Sequence, residues 1–304
     1  MQVNGYYAPV LGNRQSFGDA SVQRGKDGSI TLNAGNGNDK IGIDKVGCDC
    51  YNVNINGQNF SFNKAEMEKL KINAGRGDDA IRIGESVDVP VNVDGGSGND
   101  FIVNNANNAK ISGGRGDDTI LNNASGVQID GGRGNDRITN LGSNNRIDGG
   151  RGNDQITSFG NANNIEGGRG NDAIRSSGSK NQISGGRGDD AILANGNDNF
   201  IRGGRGNDSI ASNGNRNTIN GGRGSDNLLA SGAFNSVQGD RGWDNVGVLG
   251  FGNVADGGKG WDNVRGFGLG NVLNGGPGFN NVQNQGPGCW CMDPGALVAA
   301  LLNC

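Results

Sequence analysis

Gly131-Gly132-Arg133-Gly134-Asn135-Asp136-Arg137-Ile138-Thr139 decides the fold, because it comes back. The pattern starts again at Gly149, Gly167, Gly185, Gly203 and Gly221, runs backward to Gly113 and Gly95, and continues forward at Gly239, Gly257 and Gly275. Neighbouring starts are 18 residues apart. Two outlying copies, Ala34-Gly35-Asn36-Gly37-Asn38-Asp39 and Ala74-Gly75-Arg76-Gly77-Asp78-Asp79, precede the regular array. Self-similarity at a fixed short period is the mark of a stacked repeat, in which each unit buries its apolar face only against its neighbours.

Each 18-residue unit divides into two nonapeptides. The first reads Gly-Gly-x-Gly-x-Asp-x-Ile-x. The second, for example Asn140-Leu141-Gly142-Ser143-Asn144-Asn145-Arg146-Ile147-Asp148, keeps the apolar eighth position but has asparagine at the sixth. Glycines permit sharp turns, and the short stretch after each turn alternates its side chains between two faces. The eighth positions form one aliphatic row (Ile102, Ile120, Ile138, Ile156, Ile174, Ile192, Ile210, Leu228, Val246, Val264, Val282). The second nonapeptides form a facing row from Ile111 to Leu273. Two facing rows predict a narrow core between two parallel sheets.

The first half of each unit resembles the RTX, or haemolysin-type, calcium-binding repeat family, closely over 95–283 and loosely over 34–83. The resemblance implies an all-β, right-handed parallel β-roll or β-helix solenoid with 18 residues per coil and short irregular caps. It also implies calcium, held by turn carbonyls and aspartates of successive loops. The candidate ligands are Asp100, Asp118, Asp136, Asp154, Asp172, Asp190, Asp208, Asp226, Asp244 and Asp262, with the fourth-position turn glycines Gly116, Gly134, Gly152, Gly170, Gly188 and Gly206. Ten such loops leave nine gaps for ions, and the ladder stops at Asn280. Like charges stacked at strand spacing repel, and a hard cation that accepts roughly six to eight oxygens removes that penalty.

The other edge is expected to be metal-free. Its sixth positions, Asn145, Asn163, Asn181, Asn199, Asn217, Asn235, Asn253 and Asn271, form a neutral row suited to amide–amide bonds between coils. Position three of the first nonapeptide leaves an alternative open. Arg115, Arg133, Arg151, Arg169, Arg187, Arg205, Arg223, Arg241 and Lys259 run beside the aspartates. They either balance charge in solvent, neutralise the aspartates as a metal-free Arg–Asp ladder, or capture a polyanion or carbohydrate.

Composition removes other classes. Glycine supplies 61 of 304 residues and apolar residues only 32%, so a thick core is excluded. With five prolines and no three-residue period, collagen is excluded too. The chain has no histidine, which removes histidine-based triads and histidine-bound zinc. A net charge of −4 does not suggest nucleic-acid binding. No apolar run is long enough for a membrane span. An enzyme is not expected: a β-helical polysaccharide lyase needs a cleft built from long loops, and an ice-binding surface needs a regular threonine ladder, neither of which these coils supply.

The expected organisation is a polar segment at 1–33 that is a candidate export signal, an irregular cap at 34–94 with the first repeat-like loops, the roll at 95–283, and a C-terminal cap at 284–304. Within the first cap, Tyr51 to Phe62 alternates around Asn56-Gly57, a favoured hairpin turn, and Lys64 to Leu70 reads as one or two helical turns. Asp293-Pro294 starts a short C-terminal helix. Trp243, Trp261 and Phe279, one coil apart, should stack. Of five cysteines, Cys304 is the expected partner of Cys289 or Cys291, while Cys48 and Cys50 are too close in sequence for an unstrained bridge. The resemblance implies a secreted bacterial protein, exported by a non-Sec route of type I or type III, and a candidate virulence-associated effector.

Overall fold

The structure is a computed structural model that describes residues 2–3, 6–7, 14–17, 19–285 and 290–292, with side chains from 19 to 285. It is all-β, a parallel β-solenoid of about 12 turns of ~18 residues. Its only helix among the described residues is the single turn Lys64–Met67. The chain divides into two compact units, Met1–Gln155 and Ile156–Cys304.

In the first unit, one sheet stacks Lys40–Lys45, Ala80–Ile83, Phe101–Asn104, Thr119–Asn122 and Arg137–Asn140 in parallel. The other stacks Ile30–Asn36, Leu70–Arg76, Asn92–Ser97, Lys110–Arg115, Gln128–Arg133 and Arg146–Arg151. The copies at Ala34 and Ala74 are therefore complete rungs. Both sheets end on antiparallel strands. Cys50–Ile55 and Gln58–Asn63 form the expected hairpin on one, turning at Asn56 and Gly57, both at positive φ. Ala20–Arg24 pairs antiparallel with Ile30–Asn36 on the other. Such folded-back strands cover the row of backbone groups that an open end would present. The helical turn carries a reciprocal cap between Asn63 and Glu66.

In the second unit, one sheet runs from Ala173–Ser177 through Ala191–Asn195, Ser209–Asn213, Asn227–Ala233 and Asn245–Phe251 to Asn263–Phe267 and Asn281–Gln285. The facing sheet runs from Asn164–Arg169 to Trp290–Met292 in the same register. The expected helix after Asp293 and the expected bridge to Cys304 lie outside the described residues. Cys48 and Cys50 are exposed and unbridged.

Both aliphatic rows are buried, as Ile120, Ile138, Ile201 and Ile219 show, up to Val264 and Leu273, while Val282 is half-buried. A third inward row was not anticipated. It occupies the first position of the second nonapeptide and reads Asn104, Asn122 and Asn140 in the first unit, all fully buried. Asn104 donates to Oδ1 of Asn122 at 2.7 Å, and Asn122 to Asn140 at 2.7 Å. Further along the chain the row reads Ser158, Ser176, Ala194, Ser212, Ala230 and Val248, all buried.

Candidate metal-binding edge

The turns after each second-sheet strand build the edge. Positions two and four have positive φ, for example 111° at Gly132 and 135° at Gly134, and Asp240, the one non-glycine at position two among the described loops, stands at 77°. A Cβ on Gly134 would lie 2.0 Å from the carbonyl oxygen of Gly116 in the coil before. The turn thus stacks only if position four stays bare, and the fourth-position carbonyl points along the stack towards the next loop. Glycine one is needed for a different reason. A Cβ on Gly113 would sit 2.3 Å from Oδ2 of Asp118, so the space is filled by the carboxylate of its own loop.

The aspartates do not fringe the edge; they are buried, Asp118, Asp136 and Asp208 each at 1% exposure. Each backbone N–H donates to Oδ1 of the aspartate one coil on. The bonds Asp100–Asp118, Asp118–Asp136 and Asp136–Asp154 are 2.7 to 2.8 Å in the first unit. Asp172–Asp190, Asp190–Asp208, Asp208–Asp226, Asp226–Asp244 and Asp244–Asp262 are 2.8 to 2.9 Å in the second. Position five forms a second ladder of opposite direction, in which the N–H of Asn135 donates to Oδ1 of Asp117 and that of Asn207 to Oδ1 of Asp189. Every such loop is therefore tied to both neighbours.

The ladder extends two coils further than the sequence reading placed it. The N–H of Asp39 donates to Asp79, and that of Asp79 to Asp100. Alanine in place of the first glycine set these loops apart from the consensus, yet glycines two and four and the aspartate were all present. An amide stands at each terminus of the ladder. Asn56 donates to Oδ1 of Asp39 at 2.6 Å, and Asn280 accepts from the N–H of Asp262 at 2.7 Å.

Whether calcium suits this edge is decided by one atom, Oδ2. In Asp79, Asp100, Asp118, Asp136, Asp190, Asp208, Asp226, Asp244 and Asp262 it is buried and accepts no hydrogen bond, a costly state for an anion. Burial, reinforced by neighbouring carboxylates, pushes Asp100, Asp118, Asp136, Asp208 and Asp244 up to about 7. Asp79, Asp190 and Asp226 rise to about 6 for the same reason. At Asn280 the corresponding atom is Nδ2, and it donates to the carbonyl oxygen of Gly276 at 2.8 Å. The slot beside the first glycine thus calls for positive charge next to the second glycine's carbonyl, and a carboxylate oxygen there needs a cation to match it. Among the described residues no three acidic, cysteine or histidine side chains gather at one point. An ion on this edge would be held by main-chain oxygens of the turns and Oδ2 of the ladder aspartates, the hard oxygen set that calcium takes.

The second edge makes no such demand. Its asparagines accept from the backbone N–H of the preceding coil, as Asn217 does from Asn199 at 2.8 Å. Their amides donate to turn carbonyls: Asn217 to Gly196, Asn235 to Gly214 and Asn253 to Gly232. The bonds between coils are therefore side chain to backbone rather than amide to amide, because the side chain points inward along the turn. The metal-free arginine reading fails on placement. Arg115, Arg133, Arg187, Arg205 and Arg223 are exposed while the aspartates are buried. The ion pairs among the described residues, Arg24–Glu66, Lys45–Asp88, Arg82–Asp44 and Arg216–Asp198, join neither row.

Trp243 and Trp261 do stack, with centroids 5.4 Å apart and planes at 7°, and Phe279 meets Trp261 edge-on at 5.5 Å. They replace the position-five ladder in the last coils and remain more than half exposed.

Comparison with known proteins agrees with this edge. The model of the RTX calcium-binding nonapeptide repeat matches in four copies, at residues 103–121, 128–156, 157–192 and 193–228. No curated protein matches, and no solved structure does. The matched segments between residues 103 and 228 are thus similar to RTX calcium-binding nonapeptide repeats.

Proposed function

We propose that the chain is a secreted structural module whose aspartate edge binds calcium and is locked by it. The observation that carries this is the buried Oδ2 of Asp100, Asp118, Asp136, Asp190, Asp208, Asp226, Asp244 and Asp262, which accepts no hydrogen bond. Calcium supplies the positive charge that those oxygens and the turn carbonyls lack, and binding to the folded state alone stabilises it by mass action. RTX repeats are typical of secreted bacterial proteins, and no described helix is long and apolar enough to cross a membrane. Scarce calcium inside the cell and abundant calcium outside would leave the roll open for export and close it afterwards.

The test is circular dichroism with calcium titration and chelator, together with bound calcium counted by mass spectrometry of the dialysed protein. Calcium-dependent β signal and several ions per chain are expected. A β spectrum and melting temperature indifferent to chelator, with no ion retained, would refute the proposal.

A further inference from the structure

The outer face of the second sheet changes charge along the chain. Outward positions there are seven and nine of the second nonapeptide and three of the next. In the first unit the ninth positions read Asp94, Ser112, Asp130 and Asp148 and the seventh positions add Lys110 and Arg146, so Arg115, Arg133 and Arg151 lie on a face that mixes both signs. In the second unit the row begins with Glu166, then reads Ser184, Arg202, Asn220 and Gln238, and returns to an acid at Asp256. Over 182–241 the face therefore carries Arg187, Arg202, Arg205, Arg223 and Arg241, all exposed.

The strands are in register, so Arg187, Arg205, Arg223 and Arg241 are successive Cα partners in one straight file, ~4.8 Å apart. Beside the buried ladder aspartates, Asp240 and Asp189 flank the file, and both accept hydrogen bonds. Asp240 accepts from Asn220 at 2.8 Å, and Asp189 accepts the N–H of Asn207 at 2.6 Å. Like charges at such spacing repel, and no ion pair among the described residues engages these four guanidiniums. Phe200, 50% exposed, stands on the same face in register with Gln182 and Thr218.

We propose that this face binds a linear anionic polysaccharide. A straight file with one guanidinium per strand suits a chain bearing about one acidic group per sugar ring, and the guanidinium fork matches carboxylate and sulfate oxygens. Phe200 offers an apolar surface to a pyranose ring, while Gln182, Asn220 and Gln238 offer partners for hydroxyls. Single-stranded nucleic acid is served by several stacking aromatics, and this face has one. The file belongs to the sheet surface, not to the aspartate edge, so the inference goes beyond the calcium proposal.

The experiment uses the full chain in calcium buffer at physiological ionic strength and a fluorescent heparin oligosaccharide, read by anisotropy. Saturable binding that weakens with added salt is expected. The variant R187S/R205S/R223S should lose roughly tenfold in affinity, and R202E should weaken binding in the same direction. R115S/R133S, whose arginines sit on the face of mixed sign, should change it less than about twofold. R187K/R205K/R223K, which keeps the charge but loses the fork, should weaken binding, by less than R187S/R205S/R223S does. Absence of binding by folded parent, equal loss in R115S/R133S, or tighter binding of a single-stranded oligonucleotide or of phosphatidylglycerol vesicles would overturn it. Every arm is read at an unchanged far-ultraviolet spectrum, so failure here is distinct from a spectrum that ignores chelator.

Discussion

The side-chain amide of Asn280 donates to the carbonyl oxygen of Gly276 at 2.8 Å, in the slot where every earlier loop of the regular array places a carboxylate oxygen. The last loop is an internal control for the others: an N–H satisfies there what an aspartate leaves unmet.

It follows that Asp208→Asn should have opposite effects with and without metal. The amide keeps the bond from the N–H of Asp190 and gains one to a turn carbonyl. In chelator the variant should be more stable than the parent by about 1–3 kcal/mol, the cost of one buried unsatisfied group. In calcium it should retain fewer ions. Urea melts and ion counts measure both, and a variant destabilised in chelator would contradict the assignment.

The raised aspartates set a pH dependence. Their folded values of about 6 to 7 lie above the unfolded value of about 3.9. The folded chain therefore holds protons that the unfolded chain releases. Metal-free stability should be greatest below about pH 4 and should fall as pH rises towards 7. Calcium affinity should move the other way, weakening below about pH 6 as protons compete. Thermal melts in chelator across this range check the sign.

The asparagine edge should be separable from metal. Asn217→Ala leaves the N–H of Asn199 and the carbonyl of Gly196 without their partner, at a cost of about 1–3 kcal/mol. Calcium stoichiometry should not change. A lost ion would mean that both edges bind.

Gly134→Ala tests the stacking of the turns. The new methyl would meet the carbonyl of Gly116 at 2.0 Å from a backbone at φ 135°. Strain of about 1–3 kcal/mol is expected from the backbone alone, with further loss as the rungs separate. The melting temperature in calcium reports it.

Much of this was legible because the period is short and the side chains alternate. Ile138 and Ile147 had to face inward, and Asp136 recurred in step with them. What escaped was the environment of the aspartate. Nothing in Gly-x-Gly-x-Asp says that the carboxylate turns inward against the first glycine, since that depends on how one loop lies on the next. The rungs at Ala34 and Ala74 were harder to place because the insertion holding the Asn56 hairpin breaks the spacing. The inward Asn104–Asn122–Asn140 row was readable as the next alternate residue after Ile102, Ile120 and Ile138. Its polarity hid it, because an amide is taken for surface until a like neighbour stacked above it supplies the bond.

The amides at the two termini of the aspartate ladder carry a last consequence. Asn56 donates to Oδ1 of Asp39 and Asn280 accepts from the N–H of Asp262, so each end of the ladder meets an amide where an inner coil meets another carboxylate. A metal ion shared end to end between two copies would lack the paired carboxylates that neighbouring coils supply within one chain.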